Sequence, residues 1–410
     1  MPPPESSPSR RLDVVVAGTG PAGLAFAAAV KQALGRGVAV AVVDPRPGLS
    51  DGCPRAVALA EGPRRVLDRV GAWRALAPLA QPILTMAIYD GRVGDAAQRE
   101  QLIFAAREGE PLAYMAFNDD VAAALSEAAA ALGVETIEGA VVGFAPGRVV
   151  ARVALAGGET LAARLVVAAD GARSKLRALA EIINVGWETG QTGIVATIGH
   201  ERDHEGRAEQ HFLPAGPFAR LPLRGRFSSV VWNEAHADAA ALLALDADGF
   251  LSELERRFTL KLGAIRVASR VAAFPLRFRF ARRFVGERLA LVGDAAHVVH
   301  PIAGQGLNLG LRDVAALAEV VVERMRLGLD PGDDETLAAY ERWRRFDVVA
   351  SSLGMDALNR LFAHDCEPLR FARDFGLRMV DRMAPLKRLL MAEAAGATPG
   401  APRLLRGLAL

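Results

Sequence analysis

The run from Leu289 to Asn308 carries the most chemistry in this chain. A short apolar stretch ends on Gly293 and Asp294. The chain then passes His297, His300, Pro301, Gly304 and Gly306 before turning helical at about Leu307. A strand that delivers a carboxylate to its carboxyl end places it where ligands bind in open α/β sheets, and there it can hold the hydroxyls of a ribityl chain. Gly304 and Gly306 open the backbone ahead of a helix whose first N–H groups favour an anion or a developing negative charge. A reduced flavin carries such a charge on its N1/C2=O edge. His297 and His300 raise a metal reading, but no Cys or further His lies close to them. A histidine that caps or bridges the turn is the better account, and no metal is expected.

A second glycine loop, Gly18-Thr19-Gly20-Pro21-Ala22-Gly23, follows an apolar strand and opens an Ala-rich helix. That context suits a dinucleotide: Gly18 permits the tight turn, Gly20 leaves room for a pyrophosphate, and Gly23 lets helix and strand pack closely. The helix start offers free N–H groups to the phosphates. Asp44 closes the next strand, where a carboxylate grips a ribose hydroxyl. The loop alone does not separate FAD from NAD. A third loop, Asp170-Gly171 to Arg177, also follows a buried strand. Taken alone it is a strand, a turn and a Ser174-capped helix, with Arg177 more readily a surface arginine than a ligand.

The elements that must position these loops follow from hydrophobic spacing. Leu12–Ala17, Val38–Val43, Leu165–Ala169 and Arg288–Val292 are buried strands, and Pro21–Leu34 is a helix, which makes a βαβ unit at the start. Arg55–Trp73 reads as mostly helical. Asp119–Leu132 is a helix with Asn118 or Asp119 as its N-cap. Gln191–Asn233 reads as an antiparallel sheet and Ala239–Phe258 as one helix. From Gly306 onward the chain is almost wholly helical. The expected fold is α/β: a Rossmann-like FAD-binding domain, an inserted and mainly antiparallel β-sheet substrate domain, and a helical C-terminal tail. The expected division is residues 1–76, 100–182 and 283–345 for the first, 77–99 and 183–282 for the second, and 346–410 for the tail.

The 410 residues are 51% hydrophobic with a formal net charge of +2, which gives no case for nucleic acid. Arginines are scattered, and a basic patch facing anionic lipid stays open. Two distant cysteines, Cys53 and Cys366, fit a reducing compartment. A cytoplasmic protein, with any membrane contact peripheral on the inner membrane, is the expectation.

The three loops in this order resemble the group A flavoprotein monooxygenases, the fold of para-hydroxybenzoate hydroxylase. The run His300-Pro301-Ile302-Ala303-Gly304-Gln305-Gly306-Leu307-Asn308-Leu309-Gly310-Leu311-Arg312-Asp313 resembles the signature of the ubiquinone-biosynthesis hydroxylases within that group. Arg55–Leu59 resembles the family's early helix, and His211–Leu223 its substrate-domain strand pair. Thr189-Gly190-Gln191 departs from the family's Tyr-Gly-Gln, which leaves the ring position open. The resemblance implies that Gly18, Gly20 and Gly23 face the pyrophosphate and Asp44 the adenosine ribose. It puts Arg55 and Asn118 on the pyrophosphate and ribityl side and Val141 against the adenine. Asp170 and Arg177 belong to a shared FAD and nicotinamide motif, and Asp294 holds the ribityl chain. The backbone at Leu307 and Asn308 meets the flavin O2 edge, behind the glycines Gly304 and Gly306, and Pro301 lies where flavin and substrate ring meet. His300 could tune a phenol, although a structural role suits it better.

The implied activity is aromatic-ring hydroxylation of a polyprenylated phenol or quinone precursor, using FAD, O2 and transient NADPH or NADH, through a flavin C4a-hydroperoxide. Two alternatives stand beside it. One is a hydroxylase of a small soluble phenol, or a prenyl reductase of the same superfamily. The other is a non-catalytic FAD-holding subunit of a biosynthetic assembly. Contact with a quinone-biosynthesis complex and oligomerisation stay open.

Overall fold

The computed structural model describes residues 10–48, 52–90, 100–106, 110–258, 260–299, 305–363, 383 and 400–410. The first sheet runs in the order Val285–Gly286, Leu289–Leu291, Thr160–Ala168, Arg10–Ala17, Val40–Asp44, Glu135–Glu138. Its central strands are parallel. Parallel strands are covered on both faces, which is why Val14, Val15 and Val16 are consecutive apolar residues with no exposed surface. The helix Pro21–Leu34 starts with proline at its first position and stops at Gly35, whose φ of 65° no branched side chain would tolerate. It packs between the helices Asn118–Ala131 and Gln305–Arg326.

The second sheet runs His297–Val298, Ala272–Ala281, Asn184–His200, Phe227–Ala235, Gly216–Leu223, Arg207–Leu213, Thr85–Asp90, Glu100–Ala105. It is antiparallel except where Arg207–Leu213 meets Thr85–Asp90. Alternation along its strands divides two faces. Ile194, Ile198, Phe218 and Trp232 pack under the helices His236–Leu243 and Ala247–Phe258. Ala208, Ala219 and Leu221 pack instead against Ala58, Ile83 and Met115 of a small third sheet, Ala56–Ala60, Ala113–Phe117 and Gln81–Ile83. No helix among the described residues is long and apolar enough to cross a membrane.

Four expectations need correction. Arg55–Trp73 is not mostly helical: Ala56–Ala60 is a strand, and the helix is Glu61–Arg69. Val57 and Leu59 are two apart, the period of a strand, and Pro63 fits only the first turn of a helix. Residues 100–105 do not return to the first sheet but pair with Thr85–Asp90 in the second. Ala239–Phe258 is two helices, because Asp246 caps the second, accepting from Gly249 N at 2.8 Å. The N-cap of Asn118–Ala131 is Phe117, with Asn118 already helical.

Candidate active site

The three loops leave the same edge of the first sheet. Ala17 pairs with Ala168 and Val43, and Ala168 pairs with Leu291, so the loops begin side by side at the strands' carboxyl ends. In the Gly18–Gly23 loop Gly18 has φ 109°, and a Cβ there would lie 2.3 Å from the Ala169 carbonyl oxygen. A Cβ on Gly23 would lie 2.2 Å from the Gly18 oxygen, whereas one on Gly20 would meet nothing within 4 Å. Two glycines are thus required by packing and the third leaves open space at the helix start. Gly20 caps that helix without a side-chain acceptor, so the leading N–H groups stay available for an anion.

Asp44 borders this opening. Its carboxylate accepts Thr19 N and Arg46 N, both at 2.9 Å, which fixes its orientation. Its carbonyl accepts Gly139 N at 2.9 Å, which brings the start of the strand Val141–Ala145 beside it.

Asp170 caps the helix Lys175–Leu179, accepting Lys175 N at 2.7 Å and Leu176 N at 3.2 Å through Oδ2. Its Oδ1 is buried without a hydrogen-bond partner. Arg177 is buried, contrary to its expected surface position. It donates to the Ala295 carbonyl at 2.7 Å and the Ala172 carbonyl at 2.9 Å, tying the Asp170 loop to the Asp294 loop. Burial lowers its pKa, and Asp170 opposes that shift.

Asp294 is solvent-exposed at the start of the Gly293–Ala295 turn, with protein crowded around it. The crowding pushes its carboxyl pKa up, while His297 and Arg55 pull it back. Arg55 stands over the Phe274 ring, 5.4 Å from its centroid. Its carbonyl accepts Asn118 N at 3.0 Å, so Arg55 and Asn118 are neighbours. Asn118 Oδ1 is a second buried oxygen with no partner. Two orphaned oxygens and an open glycine corner are what a polar cofactor with hydroxyls would satisfy, and the residues present fit FAD.

His297 is spent on structure, as the capping or bridging reading expected. Its Nε2 lies 2.6 Å from Asp313 Oδ2, which also accepts Gly293 N at 3.0 Å. Asp313 Oδ1 accepts Arg344 Nε at 2.8 Å, and Arg344 also pairs with Asp347. Both Asp313 and Arg344 are buried. Sequence reasoning gave neither a role. Asp313 closes the quoted signature, but Arg344 stands 31 positions away with no local cue.

The helix expected at about Leu307 begins at Gln305, so Gly306 lies in its first turn, and Leu307 and Asn308 follow. The Asn308 side chain is not turned to a ligand. Its Oδ1 accepts Ala60 N at 3.0 Å and its Nδ2 donates to the Ala58 carbonyl at 2.8 Å, holding the edge of the third sheet. His300, Pro301 and Gly304 lie outside the described residues.

Residues 11–351 match the family model described as FAD binding domain. The chain is 43% identical to the ubiquinone hydroxylase UbiL of Rhodospirillum rubrum, over 100% of this chain and 96% of that protein. This chain belongs to the ubiquinone-hydroxylase family of FAD-dependent monooxygenases. The same hydroxylase family likeness extends to 3-demethoxyubiquinol 3-hydroxylase of Escherichia coli, at 32% identity over 94% of this chain and 98% of that one. Among solved structures, p-nitrophenol 4-monooxygenase PnpA from Pseudomonas putida DLL-E4 superposes with a TM-score of 0.78 at 22% identity, covering 94% and 98% of the two chains. At that identity the match speaks to the fold, and the hydroxylase fold is that of the flavin monooxygenases.

Proposed function

We propose that this flavin monooxygenase hydroxylates the aromatic ring of a polyprenylated phenol or quinone precursor in ubiquinone biosynthesis, with O2 as oxygen source and NADH or NADPH as transient electron donor. One structural observation carries the reading. The strand Leu289–Leu291 belongs to the first sheet, while His297–Val298 pairs with Arg279 and Phe280 of the second. The Asp294 loop therefore joins the two sheets, and on this reading it lies where a cofactor held by one meets a ring held by the other. The names of UbiL and the Escherichia coli hydroxylase support the substrate class.

FAD, when bound, supplies the activation of O2. The chain's task is to bind, orient and keep water out. The helix start at Gly20 and Gly23 takes the pyrophosphate beside Gly18, Asp44 takes the ribose, and Val141 borders the adenine. Asp294, with Arg55 and Asn118, takes the ribityl side, and Asp170 and Arg177 serve the face shared with the nicotinamide. The N–H groups at Leu307 and Asn308, in the first turn of Gln305–Arg326, stabilise negative charge on the flavin edge. For His300 and Pro301, which lie outside the described residues, the family resemblance implies a place on the substrate side. Phe274, under Arg55, gives the ring an apolar wall. A polyprenyl chain partitions into a bilayer, so the same reading puts the protein's working place at the cytoplasmic surface of the inner membrane.

Profiling of quinone intermediates by mass spectrometry, in cells lacking this protein, tests the reading. A prenylated intermediate one oxygen short of the next compound should accumulate and disappear on complementation. An unchanged quinone pool would overturn the assignment.

A further inference from the structure

Two segments that the site does not use expose apolar and basic side chains next to each other. Just before and within the strand Asn184–His200, Ile183 is 59% and Val185 47% exposed. The Ile183 carbonyl accepts Arg282 N at 2.8 Å, so Arg282 and Arg283 flank this pair. Phe284 N donates to Glu341 Oε1 at 2.8 Å, which brings the helix Asp334–Ala363 alongside. At about 100° per residue, Arg345, Val349, Arg342 and Phe346 fill an arc of roughly 100° that starts next to Glu341. Phe346 is 82% exposed, the highest value for a large apolar side chain among the described residues. Arg282, Arg283, Arg342 and Arg345 make no ion pair among the described residues.

We propose that this patch docks on the anionic lipid surface of a bilayer, with the arginines on headgroups and Phe346, Ile183 and Val185 in the acyl boundary. Four uncompensated guanidinium groups oppose pairing of the face with a second copy of itself, since like charges would meet. They complement an anionic surface. The interleaved apolar side chains are what an interfacial segment buries. The use of the surface rests on the proposed substrate. The strands Asn184–His200 and Ala272–Ala281 also carry Trp187 and Phe278, stacked with centroids 5.2 Å apart, and they adjoin the Asp294 loop. A ring with a bilayer-resident tail would have a short path to the site.

Co-sedimentation of the FAD-loaded full chain with vesicles of phosphatidylcholine, alone or mixed with phosphatidylglycerol, tests the docking. Binding to the mixed vesicles only, weakened by salt, is expected. The double change Arg282→Gln/Arg345→Gln should lower the partition by about 25-fold, at about fivefold per arginine. Phe346→Ser should lower it severalfold while melting temperature and flavin absorbance stay as in the parent. Equal binding to both vesicle types, binding to neither, or variants that bind as the parent would each overturn the proposal. Capture by an acidic protein without vesicle binding would overturn it too. Vesicle binding with an unchanged quinone pool would remove the substrate and keep the surface. A changed pool without vesicle binding would do the reverse.

Discussion

Asp313 offers the sharpest test of how the Gly293–Asp294 loop is held. Its carboxylate is buried and accepts Gly293 N and His297 on one oxygen and Arg344 on the other. In Asp313→Asn only one of those positions remains an acceptor. If the oxygen stays with Gly293, the new NH2 points at the Arg344 guanidinium. If it stays with Arg344, the NH2 points at Gly293 N and His297. Removing one partner of a buried pair costs about 3–5 kcal/mol. Asp347 still faces Arg344, so the lower end, about 3 kcal/mol, applies here. A whole domain is stable by only about 5–15 kcal/mol, so the loss should be plain in urea unfolding of the apo protein. The loosened loop should also weaken FAD binding, read by fluorescence titration. Arg344→Met removes the charge from the other side. The double variant should lose clearly less than the two single losses added together, because the unpaired guanidinium is gone. A single variant within about 1 kcal/mol of the parent, or a strictly additive cycle, would refute the claim that this pair braces the loop.

Three further outcomes follow from the same geometry. Gly20→Val fills the open glycine position of the Gly18–Gly23 loop and Asp294→Ala removes the carboxylate of the Gly293–Asp294 turn, so both should purify with a lower ratio of flavin to protein absorbance; full occupancy in both would show that the cofactor lies elsewhere. Glu209 is buried among His211, Arg220 and Lys261. Burial alone would raise its pKa, but the hydrogen bond from His211 and the charges of Arg220 and Lys261 win and hold it well below the usual carboxylate value of 4.5. A lowered folded pKa contributes stability above about pH 4.5 that is lost as pH falls, so the melting temperature should drop on acidification, and Glu209→Gln should start lower and flatten that slope. Leu404 and Leu405 are buried in the core of the first sheet. Changing either to Ala should cost about 2–5 kcal/mol in urea unfolding, and a cost near zero would mean that the segment Arg403–Arg406 does not stay docked in solution.

What the sequence made legible was local. The Gly18 loop announces itself because a tight turn, a close approach and a helix start each demand glycine at a fixed spacing, and all three positions behave as that spacing requires. The strand at Ala56–Ala60 was obscured for a physical reason. Ala-rich residues suit a helix as well as a strand, and this strand is held from outside itself, by Ala113–Phe117 on one edge and the Asn308 amide on the other. Arg177 misled in the opposite way. Nothing in a five-residue helix marks its arginine as the one that reaches the Ala295 carbonyl 118 positions on. Loops declare their backbone needs in sequence, whereas contacts between distant loops do not.

That division bears on where the chemistry is written. The Gly293–Asp294 loop leaves one sheet and joins the other within a few residues, so it must satisfy two frameworks at once. Gly293 needs a φ of 57°, lies against Gly310 and Ala22, and gives its N–H to Asp313. His297 must reach the same carboxylate while its strand pairs with Phe280. Gly293 and His297 are thus each constrained from two sides, which is why the residue types at these positions are so particular and why this loop is the easiest part of the chain to place in a family. The substrate sheet is constrained mainly by alternation of apolar side chains, and many sequences meet that demand. Changes at Asp294 or Asp313 should therefore disturb cofactor binding whatever the ring bound. Changes at Phe274 should alter which ring is accepted, and where they also free Arg55 they should weaken the flavin.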